Sequence, residues 1–257
     1  MKRSAVNQAI AWAKDYLQKN NIHLPEYAYW PLETWKANVD KLDTVRKVML
    51  GWDITDYGLN DFEHIGSVLY TVRNGSIEDK NVGVPFCEKY IVMRDGQRLP
   101  KHYHEYKTED IINRANGVLA VYLWNTDKDG NQLDTDVTVP MDGIERTFKA
   151  GEEILIYPGN SISLKPHVAH IFGPKSGEGD LIAGEVSKVN DDTSDNYFME
   201  PTARFPKVPA HWIWTGRGGR RRRSGRRRRA ASRRAGPAVR LRCRRTRRRS
   251  KDGCAAA

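Results

Sequence analysis

From about residue 50 onward, short β-branched and aromatic runs alternate with turn signals. GSVLYTVRNG, EKYIVMRDG, GVLAVYLWNTDKDGN, DVTVPMDG, EEILIYPGNSISL and HVAHIFGP are separated by DG, DKDG, PGN and similar turns. Runs of this length, punctuated this often, read as strands. Many short strands at close spacing indicate a sandwich or a barrel. The strand region extends to GDLIAGEVSKVND, followed by the polar NDDTSDNYF and the extended EPTARFP.

The first fifty residues have a different texture. In SAVNQAIAWAKDYLQK, over 4–19, Val6, Ala9, Ile10, Ala13, Tyr16 and Leu17 recur at helical spacing, with Ser4 as the expected N-cap. Asn20, Asn21 and Pro25 end that segment. A shorter helix is expected after Pro31, because proline suits a first helical turn. These helices are expected to pack on the sheet rather than carry chemistry.

The charge is divided along the chain. Of 43 basic residues in 257, nineteen fall in 217–257 against a single Asp. The preceding segment is therefore acidic, and a nucleic-acid reading rests on the tail alone. TGRGGRRRRSGRRRRAASRRAGP has almost no apolar residues and dense like charge, so residues 209–257 are expected to be disordered. The tail is either a polyanion-binding arm or a wrong-frame or chimeric end. The abrupt replacement of lysine by arginine favours the latter. Cys87, Cys243 and Cys254 show no metal-type spacing, which fits a reducing compartment. No signal peptide and no apolar run of about 18 residues is read, so a cytoplasmic protein is expected.

The chemistry is concentrated in GQRLPKHYHEYKTED. Residues i and i+2 of a strand share a face, so His102 and His104 aim two imidazoles at one side. Glu109 follows after a short irregular segment. Further on, KPHVAH supplies His167 and His170 near a strand start. Three imidazoles and one carboxylate form a divalent-metal site with room for exogenous ligands. Nitrogen and oxygen donors without thiolate favour Mn, Fe, Co, Ni or Zn. Against this stands the plainer reading of a His-x-His pair that is merely exposed or hydrogen bonded in a core.

The wider spacing resolves that choice. Gly96, His102-x-His104, Glu109 and Gly117 resemble the first motif of the cupin family, with one extra residue before the last glycine. Gly151, Pro158-Gly159 and His170 resemble the second, in which a Leu-x-Pro-x-x-x-His arrangement favours His170 over His167. MKRSAVNQAI, PFCEKYIVMRDGQRLPKHYHEYKTEDI, SISLKPHVAHIFGP and GEVSKVNDDTSDNYFMEPTARFP together are similar to the cupin-type D-lyxose isomerase family over approximately 1–208. The resemblance implies a mostly β, single-cupin jelly-roll barrel over 51–208, with the helical segment 1–50 packed outside. It implies metal ligands His102, His104, Glu109 and His170, a Mn²⁺-type ion, and a homodimer. The reaction it implies interconverts D-lyxose with D-xylulose, and often D-mannose with D-fructose, through a cis-enediol.

Such a reaction needs a group to carry a proton between C1 and C2. Glu185, on a late strand with apolar neighbours at alternate positions, is either that base or half of a buried ion pair. Lys89, on the strand before the first motif, donates to a substrate oxygen if it points inward. Asp191, Asp192 and Asp195 either cap a loop or bind sugar hydroxyls, and such clusters more often serve turns. Arg204 is expected to pin the RFP segment through an ion pair. The alternatives are an iron-dependent cupin dioxygenase, with a more apolar pocket, or a non-catalytic cupin binding sugar or polyanions.

Overall fold

The computed structural model describes residues 1–206 and 208. The expected disorder of 209–257 concerns residues outside those described. α1 spans Arg3–Lys19 and buries Ala9, Ala13 and Leu17 along one stripe. Its N-cap is Lys2, without a side-chain cap, so Ser4 lies inside the first turn rather than capping it. Asn20 ends the helix, its Nδ2 donating to the Tyr16 carbonyl at 2.8 Å. α2 (Leu32–Ala37) follows Pro31 as expected, and α3 (Asp43–Lys47) precedes the first strand.

The strands are β1 (Gly51–Thr55), β2 (Ser67–Gly75), β3 (Gly83–Met93), β4 (His102–Tyr103), β5 (Glu109–Asn116), β6 (Leu119–Thr126) and β7 (Gln132–Leu133). They continue as β8 (Val137–Met141), β9 (Ile144–Phe148), β10 (Ile154–Ile156), β11 (Ser161–Leu164), β12 (Val168–Pro174), β13 (Leu181–Lys188) and β14 (Tyr197–Phe198). One sheet runs β1-β2-β3-β13-β5-β11, and the second runs β10-β6-β12-β4-β14 with β7 on β6. Every ladder is antiparallel. β8 and β9 form a separate hairpin. Its turn is Asp142-Gly143, with φ of 50° and 81°, the left-handed pair that a two-residue hairpin loop requires.

Alternation along the strands divides the apolar residues between two clusters. Leu69, Ile91, Met93, Ile111, Leu181 and Ala183 face the interior between the sheets, with Leu123, Ile156 and Phe172 from the opposing sheet. Their neighbours Val68, Tyr70, Val92 and Ile182 face outward and are covered by Ala9, Ala13 and Leu17 of α1. A fully buried Leu is worth about 2 kcal/mol of transfer free energy, so Leu17 is a principal anchor of the helix. The same parity turns Lys89 and Glu185 inward, because each is an even number of residues from an interior-facing neighbour. Both are buried.

Candidate metal centre and acid–base wall

Four side chains from separate elements meet inside the barrel. His102 lies on β4 and pairs directly with His170 on β12. Their ring centroids are 4.2 Å apart. β4 is only two residues long, so His104 sits one position past its end rather than within a continuous strand. It still converges, its ring centroid 5.2 Å from His102 and 5.7 Å from His170. Glu109 opens β5. One ring nitrogen from each histidine lies within 4.8 Å of the other two.

The backbone orients all three rings. His102 Nδ1 donates to the Pro100 carbonyl at 2.9 Å, and His170 Nδ1 to the Val168 carbonyl at 3.0 Å. His104 Nδ1 donates to the Asp195 carbonyl. Protons held at Nδ1 leave each Nε2 with a free lone pair, the arrangement of a metal-ligating imidazole. Burial and the neighbouring His170 and His104 hold the His102 pKa well below the ordinary imidazole value, keeping that ring neutral.

Glu109 Oε1 is 3.4 Å from His104 Nε2 and 3.2 Å from His170 Nε2. All three atoms are buried and none has a hydrogen-bond partner. They face one another without bonding one another. Donor atoms spaced by 3.2–3.4 Å suit a cation bound at about 2.0–2.2 Å from each. An uncompensated cluster of buried donors is otherwise costly. His167 is not part of it. Its backbone is left-handed, with φ of 65°. Its ring stacks on Tyr103 at 5.9 Å.

A wall of buried charge adjoins this centre. Lys107 Nζ lies 2.8 Å from Glu109 Oε2 and 2.9 Å from Glu185 Oε1. Lys89, directly opposite Glu185 in the β3–β13 ladder, reaches the same carboxylate at 3.3 Å. Asn190 Oδ1 accepts from Lys89 at 2.8 Å and from Lys107 at 3.3 Å, and Ser187 Oγ donates to Glu185 at 3.0 Å. Burial alone would raise the pKa of Glu109 and Glu185. Lys107 together with His104 outweighs it at Glu109, and Lys107 together with Lys89 outweighs it at Glu185, so both carboxyls are held below their ordinary values. Burial would likewise lower the lysines, but the carboxylates raise them. At neutral pH the wall therefore consists of two carboxylates and two ammonium groups. Glu185 is thus engaged in buried ion pairs and faces the pocket at the same time.

Sequence reasoning missed Lys107 and Asn190. Lys107 was legible in principle, lying two residues before Glu109 and therefore on its side of an extended chain. Asn190 had no such signal, because the turn after β13 decides where it points. The aspartates divide their roles. Asp195 accepts the backbone N–H groups of Glu105, Tyr106 and Lys107 at 2.8, 3.1 and 3.0 Å, which shapes the loop between His104 and Glu109. Asp191 caps Thr193 and Ser194. Asp192 instead lines the pocket and pairs with Arg204 at 2.9 Å.

The barrel is shared with solved structures of low sequence identity. The structure of Cellulomonas parahominis L-ribose isomerase with L-ribose superposes with a TM-score of 0.54 at 14% identity, covering 81% of this chain and 98% of that one. The chain therefore shares its fold with that sugar isomerase. Sequence narrows the class. A D-lyxose/D-mannose isomerase of Escherichia coli O157:H7 is 40% identical over 210 residues, 80% of this chain and 91% of that protein. One from Serratia proteamaculans is 39% identical over 218 residues, 83% and 96% respectively. The family model described as D-lyxose isomerase matches residues 1–211, and the chain belongs to that family of aldose–ketose isomerases.

Proposed function

We propose that this chain interconverts D-lyxose and D-xylulose, and D-mannose and D-fructose, with a divalent cation held by His102, His104, Glu109 and His170. The supporting observation is the set of buried, unbonded atoms His104 Nε2, His170 Nε2 and Glu109 Oε1, beside a carboxylate and two ammonium groups. The cation, once bound, supplies a Lewis acid for the carbonyl and hydroxyl oxygens at C1 and C2. Mn²⁺ suits a donor set of nitrogen and oxygen without thiolate.

The remaining chemistry belongs to the protein. The open-chain aldose loses its C2 proton to the Glu185 carboxylate. The C2–H electron pair forms a C1–C2 double bond while the C1–O1 π pair moves onto O1, giving a cis-enediolate. The same carboxyl returns the proton to C1, and the O2 proton is transferred to O1, so no external reductant is needed. Lys107, between Glu109 and Glu185, donates to the oxygen on which negative charge develops. Lys89 and Asn190 hold Glu185 and Lys107 in place. The homodimer, the cytoplasmic location and the functional unit of barrel 51–208 with segment 1–50 outside it belong to the same reading. Among the described residues no helix is long and apolar enough to cross a membrane.

A dioxygenase would favour a more apolar pocket, whereas Lys89, Lys107, Glu185, Asn190, Asp192 and Arg204 line this one. The arginine-arm reading falls on residues outside those described. The test is ketose formation from D-lyxose by full-length protein, abolished by chelator and restored by Mn²⁺. Absence of turnover by folded, metal-loaded protein rejects the proposal.

A further inference from the structure

This inference rests on the isomerase reading and concerns the part of the pocket that the mechanism leaves unused. Arg204 Nη2 donates to Asp53 at 2.7 Å and to Asp192 at 2.9 Å. Its Nη1 is buried and has no acceptor. Arg204 and Asp192 both line the pocket that holds His102, Glu109 and Glu185.

The segment carrying Arg204 is fixed. Thr55 Oγ1 donates to the Arg204 carbonyl at 2.7 Å, and the Ala203 N–H to the Tyr57 carbonyl at 2.9 Å. A buried N–H without an acceptor is unfavourable and is uncommon in folded proteins. At a pocket wall, a ligand atom is the natural way to complete it. Asp53 and Asp192 already offset the guanidinium charge, so the completing atom is a neutral oxygen rather than a phosphate or carboxylate. Tyr57 packs edge-on against Phe198 at 5.6 Å, and Phe198 lies 5.7 Å from the His102 ring. Both rings line the same pocket as Arg204, His102 and His104. A sugar held at the histidines by its C1 and C2 oxygens has its remaining carbons available to this wall.

We propose that Arg204 Nη1 donates a hydrogen bond to a hydroxyl beyond C3 of the sugar, making Arg204 a specificity-determining residue for unphosphorylated aldoses of five or six carbons. A charge-assisted bond of this kind corresponds to about tenfold to hundredfold in affinity.

The experiment compares wild type, Arg204→Lys and Asp53→Asn. The substrates are D-lyxose and D-glyceraldehyde, which lacks every carbon beyond C3, with deuterium exchange at C2 read by NMR. Melting temperatures are measured alongside. Arg204→Lys is expected to lower kcat/KM for D-lyxose about tenfold to hundredfold, mainly through KM, and to change D-glyceraldehyde exchange less than twofold. Asp53→Asn disturbs the ion pair but keeps Nη1, so it should retain the wild-type preference. A 5-phosphorylated pentose should neither react nor compete. Equal losses on both substrates, the same selective loss in Asp53→Asn, or effective competition by the phosphorylated pentose would each overturn the proposal. A wild-type protein inactive on D-lyxose overturns the isomerase reading and this inference with it.

Discussion

Glu185 stands directly opposite Lys89 in the β3–β13 ladder, and its carboxylate is shared with Lys107 from the loop before β5. Opposed charges at adjacent inward positions of one sheet keep a carboxylate ionised although it is buried. A buried base otherwise tends to take up a proton.

Replacing that carboxylate by an amide preserves shape and removes the proton acceptor. Glu185→Gln is expected to reduce kcat by about 10²–10⁴, with metal stoichiometry unchanged. Steady-state kinetics with elemental analysis of the same sample checks this, and near-normal kcat would remove Glu185 from the role of base.

The two histidines of KPHVAH should behave oppositely. His170→Ala removes a donor from the cluster and is expected to abolish tight metal binding and activity together. His167→Ala leaves every donor in place and should retain stoichiometric metal. Elemental analysis after dialysis distinguishes them. Loss of metal in His167→Ala alone would reverse the ligand assignment.

Lys107 compensates two buried carboxylates at once. Lys107→Met leaves both without that charge, and breaking a buried pair costs about 3–5 kcal/mol. Thermal or urea unfolding should register that loss in addition to the loss of turnover. An unchanged unfolding midpoint would show that the cluster tolerates the missing charge.

Asp192 sets a pH dependence of stability. Burial would raise its pKa, but Lys89 and Arg204 hold it well below the ordinary carboxylate value. The native state therefore resists a proton that the unfolded chain accepts. This contribution is fully present above the ordinary aspartate pKa of about 3.9. It is lost as pH falls through that value toward the lower native one. Melting temperature should fall between about pH 4 and pH 2, and Asp192→Asn should show a shallower fall.

On the outer face, Leu17→Ala opens a cavity between α1 and the sheet and should cost about 2–5 kcal/mol. Activity per folded molecule should be retained, since Leu17 lies in the outer cluster and the site residues line the interior.

Much of the fold was legible because its signal is local. The helical stripe of Ala9, Ala13 and Leu17 and the short apolar run through Val68, Leu69 and Tyr70 are local patterns that a linear reading detects. β9 escaped because its residues are mostly exposed and lack that alternation. β5 escaped because its inward positions include Glu109 and Asn113, polar residues kept inside for the site. The Ser4 cap was misplaced because the N-cap is Lys2, two residues earlier, where no side-chain hydrogen bond marks it.

By itself the sequence determined the strand cadence and the histidine and glutamate types in their spacing. These depend on residues a few positions apart. Only the tertiary structure decided that Lys89 and Glu185 both point inward, that Lys107 bridges Glu109 and Glu185, and that Arg204 reaches Asp53 and Asp192 with one nitrogen to spare. Each of those contacts joins strands or loops from different parts of the chain, and their geometry follows from β-ladder register and loop path, which no local pattern encodes.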